Sequence, residues 1–294
     1  MNPPAPSPWR IAILTTLALL AFAGNSLLCR VALRQAALDA ASFTSLRLAS
    51  GALMLALLLA WRGRLQPAAA SRPWQAGDWR SALALFVYAE GFSFAYISLS
   101  AATGALLLFG VVQTSMIGWG LWHGERLGRV QWLGLAGASA GLVWLLLPGL
   151  AMPSMTAGGL MACAGLAWAV YTLRGRGAGD ATSVTAGNFL RATPLALGMS
   201  ALTWSQAHWD TPGLLLALAS GALASGLGYA VWYTALKGLT ATRAAILQLT
   251  VPALATAGGV LLMDERLTPH LLGASAAVLG GVALVIAGRL TRRG

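Results

Sequence analysis

Glu90 is the one acidic residue placed deep inside an apolar segment of this chain. Eleven residues separate it from Trp79, about 16 Å at the helical rise, which sets the carboxyl near the middle of a bilayer. A carboxyl at that depth must face a cavity or a partner. It can contact a substrate ammonium, act as a protonatable coupling group, or pair with an arginine and hold helices together. Arg47 and Arg191 also fall inside apolar segments, each a turn or two from the end. A long side chain reaches the headgroups from such a place, so both are expected to anchor their segments or to bond the end of a neighbouring helix. Arg191 has a second option, a substrate carboxylate, because Asn188 lies one turn before it on the same helical face.

Amides and aromatic rings complete the set. Gln113 falls in mid-segment, Gln248 one turn before Pro252, and Asn25 late in the first segment. An amide in lipid needs partners, so each is expected to face the bundle interior, bonded to a helix or to a substrate. Pro194 and Pro252 remove backbone hydrogen bonds and loosen their helices. Trp168 and Tyr171 are three apart, Trp232 follows Tyr229 by three, and Tyr88, Phe92 and Tyr96 repeat every four residues. Such rings can stack on an apolar or aromatic substrate, although most aromatic stripes simply pack. The substrate-pathway candidates are Tyr88, Glu90, Gln113, Trp168, Asn188, Trp232 and Gln248. No catalytic grouping, phosphate-binding loop, metal motif or cofactor motif is legible. His123, His208 and His270 are far apart, and Cys29 and Cys163 form no ligand pair.

The elements that must position these residues are set by composition. The 294 residues are 57% hydrophobic and 9% charged, where a soluble chain carries about a quarter charged residues. Lipid is the solvent for most of this surface. Ten apolar segments stand out: Ile11 to Leu28, Ala41 to Trp61, Ser81 to Ser98, Thr103 to Trp122, Val130 to Leu147, Met155 to Leu173, Val184 to Trp204, Gly213 to Leu236, Ala244 to Met263 and Leu271 to Gly288. Each is near the roughly 20 residues that span the hydrocarbon as a helix, and none alternates as a barrel strand would. The net charge of +11 reflects basic loops and points to topology, with no nucleic-acid partner called for. With the N-terminus cytoplasmic, fourteen Arg and Lys fall in inside segments and three (Arg30, Arg34 and Arg266) outside, so both termini are expected inside. Trp9, Trp61, Trp79, Trp122 and Trp132 mark inner ends; Trp144, Trp204 and Trp209 mark outer ones.

The chain also repeats itself. Leu46-Arg47 matches Leu190-Arg191, Glu125-Arg126-Leu127 matches Glu265-Arg266-Leu267, and Cys29-Arg30 matches Leu173-Arg174. Phe94 to Thr103 aligns with Tyr233 to Thr242. The Glu-Arg-Leu triplets read as structural connectors. Gly120, Gly124 and Gly128, like Gly137 and Gly141, recur every fourth residue and allow close helix approach. An apolar run ending at Ala21-Phe22-Ala23 has the form of a cleavable leader, but the repeat needs it as the first span. Residues 1–150 and 151–294 are therefore expected to be two five-helix halves. An odd number of spans inserts the second half upside down, a pattern of secondary transporters. The fold class is an all-α membrane protein of ten transmembrane helices in two inverted five-helix repeats. Pro252 takes the place of Gln113, and Tyr229 that of Glu90, so the path is not chemically symmetric.

This arrangement, with Arg47 and Arg191 early in the second helix of each half and Ala-Thr pairs opening the fourth helices, resembles the EamA branch of the drug/metabolite transporter superfamily. Within it the chain is similar to the YddG-type exporters of aromatic amino acids. The resemblance implies a transporter, not an enzyme, of the cytoplasmic (inner) membrane. It would export small metabolites, amino acids or aromatic ones, by alternating access through a central cavity. A passive channel and a carrier of drugs or other metabolites are the alternatives; an integral membrane enzyme lacks its carboxylate or His/Asp cluster. Partners are a small-molecule substrate and the lipid bilayer, no cofactor is called for, and the oligomeric state is left open, a monomer being compatible with the reading.

Overall fold

In lipid every backbone polar group must be satisfied within the chain, and every regular element among the described residues is a helix. The computed structural model describes residues 8–65, 73–123, 128–146, 154–175, 179–236, 247–248 and 250–290. The helices are α1 (Pro8–Arg34), α2 (Ala40–Leu65), α3 (Trp79–Tyr96), α4 (Ala101–Trp122), α5 (Arg129–Leu146), α6 (Met155–Gly175) and α7 (Ala181–Leu202). They continue as α8 (Thr211–Ala219), a π-helical stretch (Ser220–Leu227), α9 (Gly228–Leu236), α10 (Thr250–Met263) and α11 (Pro269–Leu290). The pieces from Thr211 to Ala235 form one unbroken apolar rod of 25 residues. That rod and α1, α2, α4 and α6 are long and apolar enough to cross a membrane.

Short polar devices begin and end these rods. Asp78, Asp180 and Asp210 accept the backbone N–H groups of Ser81, Thr182 and Gly213 and so cap α3, α7 and α8. Arg62 and Arg64 fall in the last turn of α2, and Arg34 in that of α1, where positive charge suits the helix dipole. The sequence-based spans differ from the helices mainly at their ends. α1 runs on through Arg34, so Arg30 and Arg34 are helical and not in a loop. Trp204 lies beyond α7 in a 3₁₀ turn, because Thr203 leaves the helical conformation. The first residues of the ninth span, the triplet Glu125-Arg126-Leu127 and residues 237–242 of the second repeat lie outside the described residues.

The bundle is apolar outside and holds its intramembrane polar residues within an apolar core. Leu17, Leu53, Leu57 and Leu223 are exposed, whereas Arg47, Glu90, Gln113, Asn188 and Gln248 are buried. Two faces close it. One, the Arg10 face, carries Arg10, Trp61, Trp79 and Asp180. The other, the Glu265 face, carries Arg30, Asp39, His208 and Glu265. The helix pairings come in matched sets. α3 packs on α6 and α9 on α1; α4 on α6 and α10 on α1; α3 on α7 and α8 with its π stretch on α2. α2 packs on α7, α4 on α10 and α5 on α11.

Glycine permits the closest of these approaches. A Cβ at Gly281 would collide with backbone atoms of Gly134 and Ala138, and one at Gly141 would meet Val278 N at 2.8 Å. These fix α5 against α11. Gly280, its neighbour, faces open space. Gly281→Ala should therefore destabilise the protein by about 1–3 kcal/mol, read as a lowered midpoint in thermal unfolding of the detergent-solubilised protein. Gly280→Ala should leave that midpoint unchanged or higher. Equal behaviour of the two variants would refute the packing assigned to this pair.

Candidate functional site

Five helices bring side chains to one enclosed point in the interior. α1 supplies Phe22, Asn25 and Ser26; α3 supplies Tyr88 and Phe92; α4 supplies Leu108 and Phe109; α6 supplies Trp168; α9 supplies Tyr229. Rings dominate the lining and touch one another. Trp168 lies 4.7 Å from Tyr88 and 5.1 Å from Tyr229, centroid to centroid. Phe22 stands edge-on to Tyr229 at 5.9 Å and to Trp232 at 5.6 Å. The space left is about 20 Å³, room for one water molecule. An organic substrate enters only if the rings part.

Beyond this closed centre lies a larger recess toward each face. At the Arg10 face a recess of about 670 Å³ is bordered by Arg10, Arg62, Asp180 and Tyr233 among others. At the Glu265 face one of about 360 Å³ is bordered by Leu38, Asp39, Phe94, Ile97 and His208.

Arg47 corrects the sequence-based expectation. It does not snorkel: it is only 1% exposed and is the bulkiest fully buried side chain among the described residues. It shares a helical stripe with Phe43, Leu48, Gly51 and Leu55, all buried, so α2 turns it toward the bundle and away from lipid. Its Nε donates to Ser225 Oγ at 3.0 Å and its Nη2 to the Tyr88 hydroxyl at 3.2 Å. The guanidinium carbon lies 5.2 Å from the Tyr88 ring centre and 5.1 Å from that of Phe92. Nη1 is buried and makes no hydrogen bond.

The other arginine behaves as expected. Arg191 donates to the carbonyls of Ala76 and Gly187, and at 3.0 Å to that of Trp74. Asn188 works on the same segment, accepting the Asp78 N–H at 3.0 Å. Gly77, at φ +75° beside Asn188, makes that turn possible. Arg191 and Asn188 thus hold the connection between α2 and α3 at the Arg10 face, outside the ring cluster.

Of the seven pathway candidates, Tyr88 and Trp168 meet directly, and Trp232 joins them through Phe22. Gln113 lies one turn past Phe109 on α4; it is buried, and its side-chain nitrogen has no partner. Gln248 is buried but borders neither the centre nor the recesses. Glu90 is two residues from Tyr88 and so on a different side of α3. It is 7% exposed, and neither of its oxygens makes a hydrogen bond. It lies one turn below Phe94 and two below Ile97, beneath the recess of the Glu265 face, with Thr44 and Asp39 on that side. The sequence reading missed Phe22, Ser26, Phe109 and Ser225, since nothing marks one phenylalanine or serine among many in an apolar span. Tyr229 was visible as the repeat partner of Glu90.

Charges bond at the two ends. Arg62 pairs with Asp180 at 3.4 Å and Arg174 with Asp78 at 2.9 Å, both at the Arg10 face. At the other face Glu265 pairs with Arg30 at 3.4 Å and accepts the Ala101 N–H at 2.9 Å, which caps α4. This triplet is a connector, as its sequence suggests. Burial pushes the Asp78 carboxyl up, but the Ser81 hydroxyl and N–H and the Arg174 guanidinium outweigh it and hold it below the ordinary carboxylate range. Asp180 is lowered in the same way: the Ser183 hydroxyl and Arg62 overcome its burial.

Comparison with known proteins agrees with this architecture. A model of the EamA-like transporter family matches residues 155–287. An uncharacterized protein of Pseudomonas aeruginosa is 56% identical over 283 residues, 96% of each chain. The threonine/homoserine exporter RhtA of Escherichia coli K12 is 31% identical over 143 residues, 47% of this chain and 48% of that one. A crystal structure of another protein, 20% identical, superposes with a TM-score of 0.67 over 98% of this chain and 99% of that one, a likeness of fold alone. Helices, interior site and relatives together define a multi-pass membrane transporter of small metabolites. Residues 155–287 match the EamA-like transporter family, and this match with the likeness to RhtA supports a place in the EamA branch of the drug/metabolite transporter superfamily.

A group whose carboxyl is lowered by folding stabilises the fold above its unfolded value and loses that contribution as pH falls through the folded one. The detergent-solubilised protein should therefore lose thermal stability as pH drops below about 4. The double variant Asp78→Asn, Asp180→Asn should show a shallower loss. A slope identical to that of the parent would rule out these two carboxylates as its source.

Proposed function

We propose that this chain exports amino acids across the cytoplasmic (inner) membrane by alternating access, its two five-helix halves moving about the ring-lined centre. The observation that carries the reading is a closed aromatic centre built by helices of both halves, with a separate recess toward each face. A carrier needs such a centre, open to one side at a time; an open pore would leave a continuous passage. The matched helix pairings support two related halves at 1–150 and 151–294: exchanging first helix for sixth, second for seventh and so on turns each pairing into another or into itself. The bias of Arg and Lys supports an orientation with the Arg10 face and both termini in the cytoplasm.

Amino acids as the substrate class rest on two supports. RhtA, similar over half of this chain, is a threonine/homoserine exporter. The rings Phe22, Tyr88, Trp168 and Tyr229 offer an apolar wall to a side chain, aromatic ones included. Alternating access then requires those rings to part on one side while the other stays shut.

The reading is tested by counterflow in proteoliposomes loaded with single amino acids. Saturable uptake of label driven by unlabelled internal substrate is the expected result; flux without saturation or counterflow would establish a channel instead. Trp168→Ala should raise the half-saturating concentration up to about tenfold, the scale of a ring–ring contact, with less effect on the maximal rate. Glu90→Gln should insert normally and alter the pH dependence of transport. An unchanged pH profile across the series would remove Glu90 from the coupling role.

A further inference from the structure

Arg47 presents a problem of charge that the described residues do not solve. Moving a guanidinium out of water carries a penalty of several kcal/mol, offset only by good partners. Its partners here are all neutral: the Ser225 hydroxyl, the Tyr88 hydroxyl and two ring faces. A ring face contributes about 2 kcal/mol when desolvated, short of what an ion partner supplies. No carboxylate among the described residues lies within salt-bridge range of it; those that pair with arginines do so at the two faces. Glu90, the carboxyl nearest in sequence to its ring partners, points to a different side of α3 and bonds nothing. One fully buried N–H group, Nη1, is left without an acceptor.

The position of this unmet charge matters. The two rings that hold the guanidinium, Tyr88 and Phe92, are themselves walls of the central space. Ser225 sits in the π-helical stretch of the eighth rod, and such wide turns recur at functional sites. That stretch is pressed onto α2: a Cβ at Gly221 would collide with the Arg47 carbonyl. The guanidinium is thus fixed at the crossing of α2, α3 and the wide turn, beside the point where the rings must part.

We infer that Arg47 binds an anionic group of the transported molecule, a carboxylate, which completes its charge pairing through the open Nη1 when the rings separate. The guanidinium presents a planar fork of N–H groups matched to a carboxylate, and rings beside it accept the apolar remainder. The site then selects compounds that carry a carboxylate, with or without an amine. This rests on the transporter reading and narrows its substrate class.

Matched ligand sets test it: an amino acid, its deaminated acid and its decarboxylated amine, built on phenylalanine, leucine and threonine. Binding to the purified full chain is read from tryptophan fluorescence and thermal stabilisation, transport from counterflow. Each amine should bind at least tenfold more weakly than the corresponding compounds with a carboxylate. Arg47→Gln should abolish that preference by weakening the acids at least tenfold while leaving the amines unchanged. Arg47→Lys keeps the charge without the fork and should recover part of the loss. Deaminated acids that bind where amino acids do not would uphold the anion site and defeat the amino-acid reading. Amines bound or carried as well as their parent acids would overturn the role of Arg47, even if its variants fail to fold, and would leave the transporter intact. So would an Arg47→Gln protein that folds and retains its preference for acids.

Discussion

The interior of this bundle is organised around one cation, Arg47, that has no anionic partner among the described residues. Arg47 sits at the crossing of α2, α3 and the wide turn of the eighth rod, and each neighbour is shaped to hold it. Gly51 and Gly221 bring α2 and the wide turn close enough for the Ser225 hydroxyl to reach its Nε. The four-residue spacing of Tyr88, Phe92 and Tyr96 stacks three rings along α3, at 5.5 and 4.7 Å between successive centres. The lower two of those rings face the guanidinium. An ordinary α-helical turn at Ser220–Leu227 would rotate Ser225 away, because a π-turn adds one residue to each hydrogen-bonded ring. The same wide turn aims Ser220 at Asn25, whose carbonyl oxygen accepts its hydroxyl at 2.7 Å. α1 is thereby tied to the eighth rod at the edge of the central space.

Energy is distributed differently at the ends. At the Arg10 face the ion pairs are partly exposed, and each is worth no more than about 1 kcal/mol, whereas the Arg30–Glu265 pair at the other face is largely buried. Arg62–Asp180 and Arg174–Asp78 join helices of different halves at one face, as Arg30–Glu265 does at the other. Weak links at the Arg10 face contrast with tight glycine contacts within the bundle. The α5–α11 contact, glycine against backbone, is of the rigid kind; the ring cluster is not, since side chains can part without breaking a helix.

Much of this was legible from residue types. Lipid solvation of the chain follows from its scarcity of charge, and helices follow from lipid. Tyr88 and Trp168 could be singled out as candidates because aromatic spacing on one helix is set by the chain itself, and packing brings their rings together. Trp232 reached the cluster through Phe22, a residue with no distinguishing neighbour in sequence. Asn188 shows the limit of such reasoning: its spacing from Arg191 was read correctly as one shared face, but that face meets the α2–α3 connection and not the centre. Glu90 and Tyr88 are two residues apart and end on different sides of α3, so proximity in sequence implied a common site that helical geometry separates.

Arg47 marks the division most sharply. The amino-acid sequence by itself determined that the chain is a helical membrane protein, that its parts recur in order, and that a handful of polar residues must lie within the membrane, because hydropathy and spacing are properties of the chain alone. It could not say which way α2 is turned, since apolar residues lie on every side of that helix and do not by themselves mark its inner face. Only the packing of α3, α7 and the wide turn against α2 placed the guanidinium inside instead of at the headgroups. The contacts that decide this join residues 41 to 178 positions apart, and no local pattern records them.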